Sequence, residues 1–263
     1  MSATISSINY CPVKSVSFQT IDKCEIKKDV GIIGDRIFAF AKDLDVDKAQ
    51  LFEKSPEERK GKWNKVLTLK NSPILNKYNF LFKDNSLTLT FKDKKILTID
   101  INELSERQLL SNKIIELENS LKEPITLMKN EEFPFFDTSI SNKVDFINSV
   151  SLINIQSVND FQKKTNEKIE ISRFRGNICI DEIKPWEERE WIGKTIKINN
   201  ISFKVEKNIP RCVAINLKPS TDDNSLNLLQ SLKKNYNHFE MGVYLTALNS
   251  GEINLGDKVE III

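Results

Sequence analysis

The chain has a single histidine, His238, in 263 residues. One imidazole excludes multi-histidine metal sites and argues against a histidine-based catalytic triad. His238 lies in an Asn-rich polar stretch and is expected to be a solvated loop residue. Cysteine is also scarce. Cys11, Cys24, Cys179 and Cys212 form no CxxC pair, so zinc-ribbon and thioredoxin-like readings fail on spacing, and no cysteine cluster exists for an iron–sulfur centre. Thiols this sparse in a long chain read as free rather than as a disulfide framework. The eight glycines compose neither GxGxxG nor a P-loop, so no standard nucleotide fingerprint is present. No apolar run is long enough to span a bilayer, and Met1 to Tyr10 lacks the basic and apolar regions of a secretory signal. The expected location is the cytoplasm, without a membrane partner. Charge of one sign is missing as well: 39 Lys+Arg against 37 Asp+Glu leave +2, no bulk field for holding nucleic acid.

What is present is a globular profile, with 40% hydrophobic and 29% charged residues. Short alternating runs dominate. Thr4 to Tyr10, Phe18 to Lys27, Arg36 to Ala41, Tyr78 to Phe82, Leu87 to Phe91 and Ile96 to Ile101 read as strands separated by turn residues. Thr195 to Val205 reads as a hairpin about Asn199-Asn200. Helical spacing predicts helices over Ser105–Leu121, Asn154–Lys164 and Ser225–Leu232. The expected fold is mainly β with a few helices. An N-terminal β-barrel-like domain, 1–125, packs on a second β-rich domain, 126–263, whose site the N-terminal strands help complete.

Chemistry concentrates at Asn208-Ile209-Pro210-Arg211-Cys212-Val213. Pro210 breaks regular pairing and leaves a thiol at a strand end beside a guanidinium. An adjacent cation favours the thiolate, the form that attacks or binds metal; the alternative is a small buried hydrophobe. Lys14, Arg36, Arg173 or Arg175, and Arg211 all fall where strands meet turns. Cations that converge in this way build an anion site. The aromatic run Phe133-Pro134-Phe135-Phe136 is a candidate pocket wall or a loop packed on the core.

The ordered series Tyr10-Cys11-Pro12-Val13-Lys14-Ser15, Gly34-Asp35-Arg36, Phe174-Arg175-Gly176-Asn177, Pro185-Trp186-Glu187-Glu188, Arg211-Cys212, Met241-Gly242-Val243-Tyr244 and Gly256-Asp257-Lys258-Val259 resembles MOSC-domain proteins with the MOSC N-terminal β-barrel. These are similar to the mitochondrial amidoxime-reducing component and to bacterial N-hydroxylaminopurine-resistance reductases. The resemblance implies a molybdenum–molybdopterin cofactor and no need of pyridoxal phosphate. Cys212 matches the catalytic metal ligand. Lys14, Ser15 and Arg36 match positions that hold the cofactor's phosphate and pterin edge. Arg175, Asn177, Arg211 and Tyr244 match further contacts, and Asn148 and Ser149 fall in another contact segment. The activity implied is reduction of hydroxylamines or amidoximes to amines, with electrons from a separate ferredoxin, flavoprotein or cytochrome b5-like protein. The alternative is a cofactor carrier or sulfur-transfer protein without turnover. The C-terminal ferredoxin module of bacterial relatives and the N-terminal anchor of mitochondrial ones are expected to be absent. Two departures stand out: Gly176 where the family usually has proline, and Ile215-Asn216-Leu217-Lys218-Pro219 where threonines and an acidic residue are common.

Overall fold

The computed structural model describes residues 3–122, 124–136 and 149–262. The first nine strands are β1 (Ala3–Tyr10), β2 (Gln19–Ile21), β3 (Lys23–Lys27), β4 (Gly31–Ile32), β5 (Phe38–Lys42), β6 (Tyr78–Lys83), β7 (Ser86–Phe91), β8 (Lys94–Asp100) and β9 (Ile125–Lys129). The remaining seven are β10 (Val150–Asn154), β11 (Ile178–Asp181), β12 (Thr195–Ile198), β13 (Ile201–Pro210), β14 (Glu240–Ala247), β15 (Gly251–Asn254) and β16 (Lys258–Ile262). Four α-helices occur among the described residues: α1 (Val46–Lys54), α2 (Leu104–Leu117), α3 (Ile155–Thr165) and α4 (Leu228–Tyr236).

The C-terminal half is a closed barrel of seven strands, ordered β11-β10-β14-β13-β12-β16-β1, and shut by pairing of β1 with β11. Its interior is the predicted alternation made physical. Ile196, Ile198, Ile201, Phe203 and Val205 all point into one fully buried core with Ile5, Leu152 and Leu245. Only β10 and β11 pair in parallel among the barrel strands, and α3 makes the crossover that such a pair requires. Every residue of β10 is buried, because α3 and α4 cover its outer side through Phe161 and Leu232.

β1 is the chain's first strand yet belongs to this barrel, where it bonds β11, β16 and β2. β3 then pairs with β15 and with β4. The remainder of the N-terminal half is a β6-β7-β8 meander and a β5-β9 ribbon, with α2 packed on their shared core. The fold class is therefore the expected one. α1 is an element the sequence did not announce. Asp45 caps it by accepting from Lys48 N at 2.8 Å, but only Ala49 and Phe52 are buried on it. A two-residue apolar stripe gives no detectable helical period.

Candidate functional site

Six cationic side chains and one thiol meet in a cavity of about 550 Å³ between the two halves. Lys14 and Ser15 come from the turn after β1, and Arg36 from the turn before β5. Arg173 and Arg175 come from the single helical turn Ile171–Phe174 and its end, and Arg211 and Cys212 from the end of β13. Tyr244 on β14 lines it too, as do Ser151, Trp63, Lys70 and Phe136. No carboxylate lines the cavity among the described residues.

The turns that present these cations are unusual in backbone. Ser15, Arg36 and Arg175 have φ of 71°, 53° and 49°. Few non-glycine residues adopt this left-handed region, at a cost of roughly 1–2 kcal/mol each. The surroundings hold them there. Arg36 N donates to Cys11 O at 2.7 Å, and Phe135 N donates to Arg36 O at 2.8 Å. Arg175 N donates to Ser172 O at 3.0 Å. Strain maintained by neighbours in this way is typical of functional sites.

Four of the cations are also tied in place. Lys14 Nζ donates to Phe136 O. The Arg36 guanidinium is paired with Asp35 and lies over the rings of Phe18 and Phe136 at 4.9 and 4.4 Å. Arg175 donates to Val16 O at 2.8 Å and lies 4.5 Å from the Phe18 ring centre. Its burial pulls its pKa down, though it also faces Cys11. Arg211 does not extend toward solvent beside Cys212: its guanidinium donates to Met241 O and Phe174 O. It staples β14 and the Ile171–Phe174 turn to the strand that carries the thiol.

Cys212 ends that strand. Pro210 still pairs with Glu240, across a register shift between Asn208 and Pro210, which is the bulge that proline demands. Cys212 is extended, caps the single turn Val213–Asn216, and is the only exposed cysteine among the described residues. Cys11 is its opposite. It is fully buried, and burial pushes its thiol up to about 11, against the pull of Arg175.

Asn177 and Ser149 do not line the main cavity. They border an adjoining cleft with Asp35 and Phe136. Asn177 acts as a hub there: its Oδ1 accepts from Ser151 Oγ at 2.7 Å, and its Nδ2 donates to Asp35 at 3.0 Å and Asn9 O at 3.2 Å. Asp35 in turn accepts from Cys11 N at 2.9 Å. Asn148 lies outside the described residues. The Pro185-Trp186-Glu187-Glu188 motif stands away from the cavity. Glu188 is fully buried and accepts from Asn154 and Ser157, so the motif anchors α3. His238 is not simply solvated: it is part-buried, stacks on Tyr236 and accepts from Glu240 N at 3.2 Å.

Residues the sequence did not single out include Ser151, Trp63, Asn64 and Lys70. Their segments read as strand and charged loop, and no local signal separated them from other surface residues.

A closed β-barrel with a thiol-bearing cationic cavity at its junction with a second β unit is the class these observations define. Residues 145–260 match the family model for the MOSC domain. The chain is 27% identical over 127 residues to molybdenum cofactor sulfurase 2 of Culex quinquefasciatus, a match covering 44% of this chain and 16% of that protein. It is 24% identical over 159 residues to mitochondrial amidoxime reducing component 2 of Bos taurus, covering 56% of this chain and 46% of that protein. It thus spans less than half the length of either relative. The YuaD protein from Bacillus subtilis is a solved structure similar to it, with TM-score 0.46 and 11% identity over 99% of this chain and 96% of that one.

Proposed function

We propose that the cavity holds a molybdenum–molybdopterin cofactor, with Cys212 as metal ligand, and that the protein reduces N-hydroxylated compounds. The observation that carries this reading is a cavity with six cations, no carboxylate among its described lining and an exposed thiol. A phosphorylated, dianionic cofactor needs fixed positive charge, and a soft thiolate suits high-valent molybdenum. The donor set fits that group. The comparisons support a role connected with this cofactor, since relatives named for molybdenum cofactor sulfurase and for amidoxime reduction both match.

In this reading Lys14, Ser15 and Arg36 hold the phosphate and pterin edge from the N-terminal half. Arg175, Arg211 and Tyr244 complete the cradle from the barrel. Ser149 and Asn177 act from the adjoining cleft, and Asn177 sets Arg36 through Asp35. Asn148 belongs to the same contact segment. Residues 1–125 serve as the N-terminal domain and 126–263 as the MOSC domain, with β1 crossing into the barrel. The bound cofactor would supply oxygen-atom and electron transfer. The N–O bond of the substrate is cleaved, two electrons and two protons are consumed, and the oxygen leaves as water. A separate redox protein in the same cytoplasmic compartment supplies the electrons. No helix among the described residues is long and apolar enough to cross a membrane.

The test is metal analysis of protein made in a cofactor-competent host, for wild type and Cys212→Ala, with reduction of benzamidoxime by reduced methyl viologen. The reading expects bound molybdenum and turnover in wild type, both lost in Cys212→Ala. Wild type without molybdenum sinks it. Molybdenum without reduction favours a carrier or sulfur-transfer role, a second reading supported by the sulfurase matches.

A further inference from the structure

Beside the main cavity lies a second chamber of about 250 Å³ that shares Arg173, Arg175, Leu69 and Ala214 with it. We propose that this rear chamber is a separate oxyanion site for a phosphate- or sulfate-sized group, either free or at the end of a small molecule that also reaches the main cavity. The proposal does not depend on the cofactor.

Arg173 is the first argument. Its side chain is only 4% exposed. Its Nε donates to Glu170 at 2.6 Å and its Nη1 to Asn216 O at 2.7 Å. Its Nη2 has no acceptor among the described residues, yet the side chain lines both chambers. That nitrogen is open to solvent rather than sealed, so an entering oxyanion can reach it, and guanidinium geometry matches oxyanions. Glu170 offsets one charge, and Arg175 adds a second cation whose bonds to Val16 O and Cys11 Sγ bring no neutralising carboxylate.

The rest of the lining agrees. No carboxylate borders the rear chamber among the described residues, while Ser172 and Ser220 bring hydroxyls to its wall. That wall is built in advance of any ligand. The buried Asn76 amide donates to Lys218 O at 2.8 Å and to Thr221 O at 2.7 Å. Ser17 Oγ donates to Asn76 O at 2.6 Å and stands 3.3 Å from Ser220 Oγ. The 217–221 turn is thereby fixed to the N-terminal half, so an anion entering the chamber need not order its own walls.

The experiment is calorimetric titration with inorganic phosphate and with phenyl phosphate. It is run on full-length protein carrying Lys14→Met and Arg36→Met, which weaken the main cradle. Phosphate is expected to bind still. Ser172→Asp and Ser220→Asp, each adding a carboxylate to the rear wall, should weaken it by about tenfold or more. Arg173→Met should abolish it, and circular dichroism of the two serine variants guards against misfolding. Phenyl phosphate binding better than phosphate identifies the end group of a larger molecule; equal affinity identifies a free anion. Phosphate affinity weaker than about 10 mM, or affinity unmoved by both serine variants, overturns the proposal.

Discussion

Replacing Gly176 by alanine should disturb the cationic cradle more than one methyl group suggests. Gly176 sits between Arg175 and Asn177. A Cβ added there would lie 2.3 Å from Ile153 Cγ1 and 3.2 Å from Ile153 Cβ. Carbon atoms in good contact lie about 3.5–4.0 Å apart, so something must move by roughly an ångström. The backbone is held on both sides, by Arg175 N to Ser172 O at 3.0 Å and Asn177 N to Ser151 Oγ at 3.0 Å. Ile153 is fully buried and is wedged against a second glycine as well, since a Cβ on Gly242 would stand 2.5 Å from its Cδ1. Overpacking of this kind costs about 1–3 kcal/mol, and the double constraint places Gly176→Ala near 3. At about 2–4 °C per kcal/mol, the melting temperature should fall by about 6–12 °C. Ile153→Ala alone opens a cavity worth about 3 kcal/mol. The pair is the decisive measurement. If the clash is the cause, Gly176→Ala is nearly free once Ile153 is alanine, so the double variant loses about 3 kcal/mol rather than the additive 6. Urea unfolding of all four proteins measures this. Additive losses, or a neutral Gly176→Ala, would refute the reasoning. A proline here would carry the same Cβ and meet the same Ile153, so Gly176 is a packing requirement.

Other outcomes follow from single groups. Asn177→Leu strips the hydrogen bonds of Asp35 and Ser151 inside the junction and should cost about 2–4 kcal/mol in urea unfolding. Maleimide at neutral pH should label the exposed Cys212 well before the buried Cys11. Because Cys11 moves from an ordinary 9.0 up to about 11 in the fold, its contribution is full below pH 9 and is lost as pH rises through 11. Wild type should therefore lose about 2–3 kcal/mol more than Cys11→Ala over that range. His238 is held below its ordinary 6.5 by burial and by Arg189, so its contribution is full above that value and is lost as pH falls through its lowered pKa. Emission from Trp186, whose ring is 5.6 Å away, should step below pH 6.5 and lose that step in His238→Ala. Arg59 donates to the carbonyls of Phe52, Glu53 and Phe133 while fully buried; Arg59→Met should cost about 3 kcal/mol and free the aromatic loop, seen as faster proteolysis near Phe133.

The β12–β13 hairpin was legible because its two signals are local. Alternation runs on both sides of the turn, and Asn199 takes the positive φ of 53° that asparagine tolerates. Helix ends were less legible. α4 runs Leu228–Tyr236 where spacing suggested Ser225–Leu232, because its cap is Asn227, which accepts from Gln230 N. Of the candidate site residues, Lys14, Ser15, Arg36, Arg175, Arg211, Cys212 and Tyr244 share the main cavity. Asn177 and Ser149 border the cleft beside it. Arg211 shows the limit of reading neighbours in sequence. It adjoins Cys212 in the chain, but side chains alternate along an extended strand, and its guanidinium turns to carbonyls of β14 and the Ile171–Phe174 turn.

By itself the sequence determined the strand pattern, the absence of histidine and cysteine metal clusters, and the kinds of group available for a site: scattered cations at turns and a thiol after a proline. These follow from local spacing and composition, which each segment carries alone. Only the tertiary structure decided which cations converge. β1 leaves the N-terminal half to close the barrel against β11, and that crossing brings Lys14 and Arg36 to the same cavity as Arg175 and Cys212. The rear chamber is wholly of this kind, since only packing buries Arg173, pairs two of its nitrogens and sets its side chain in the wall of a cavity.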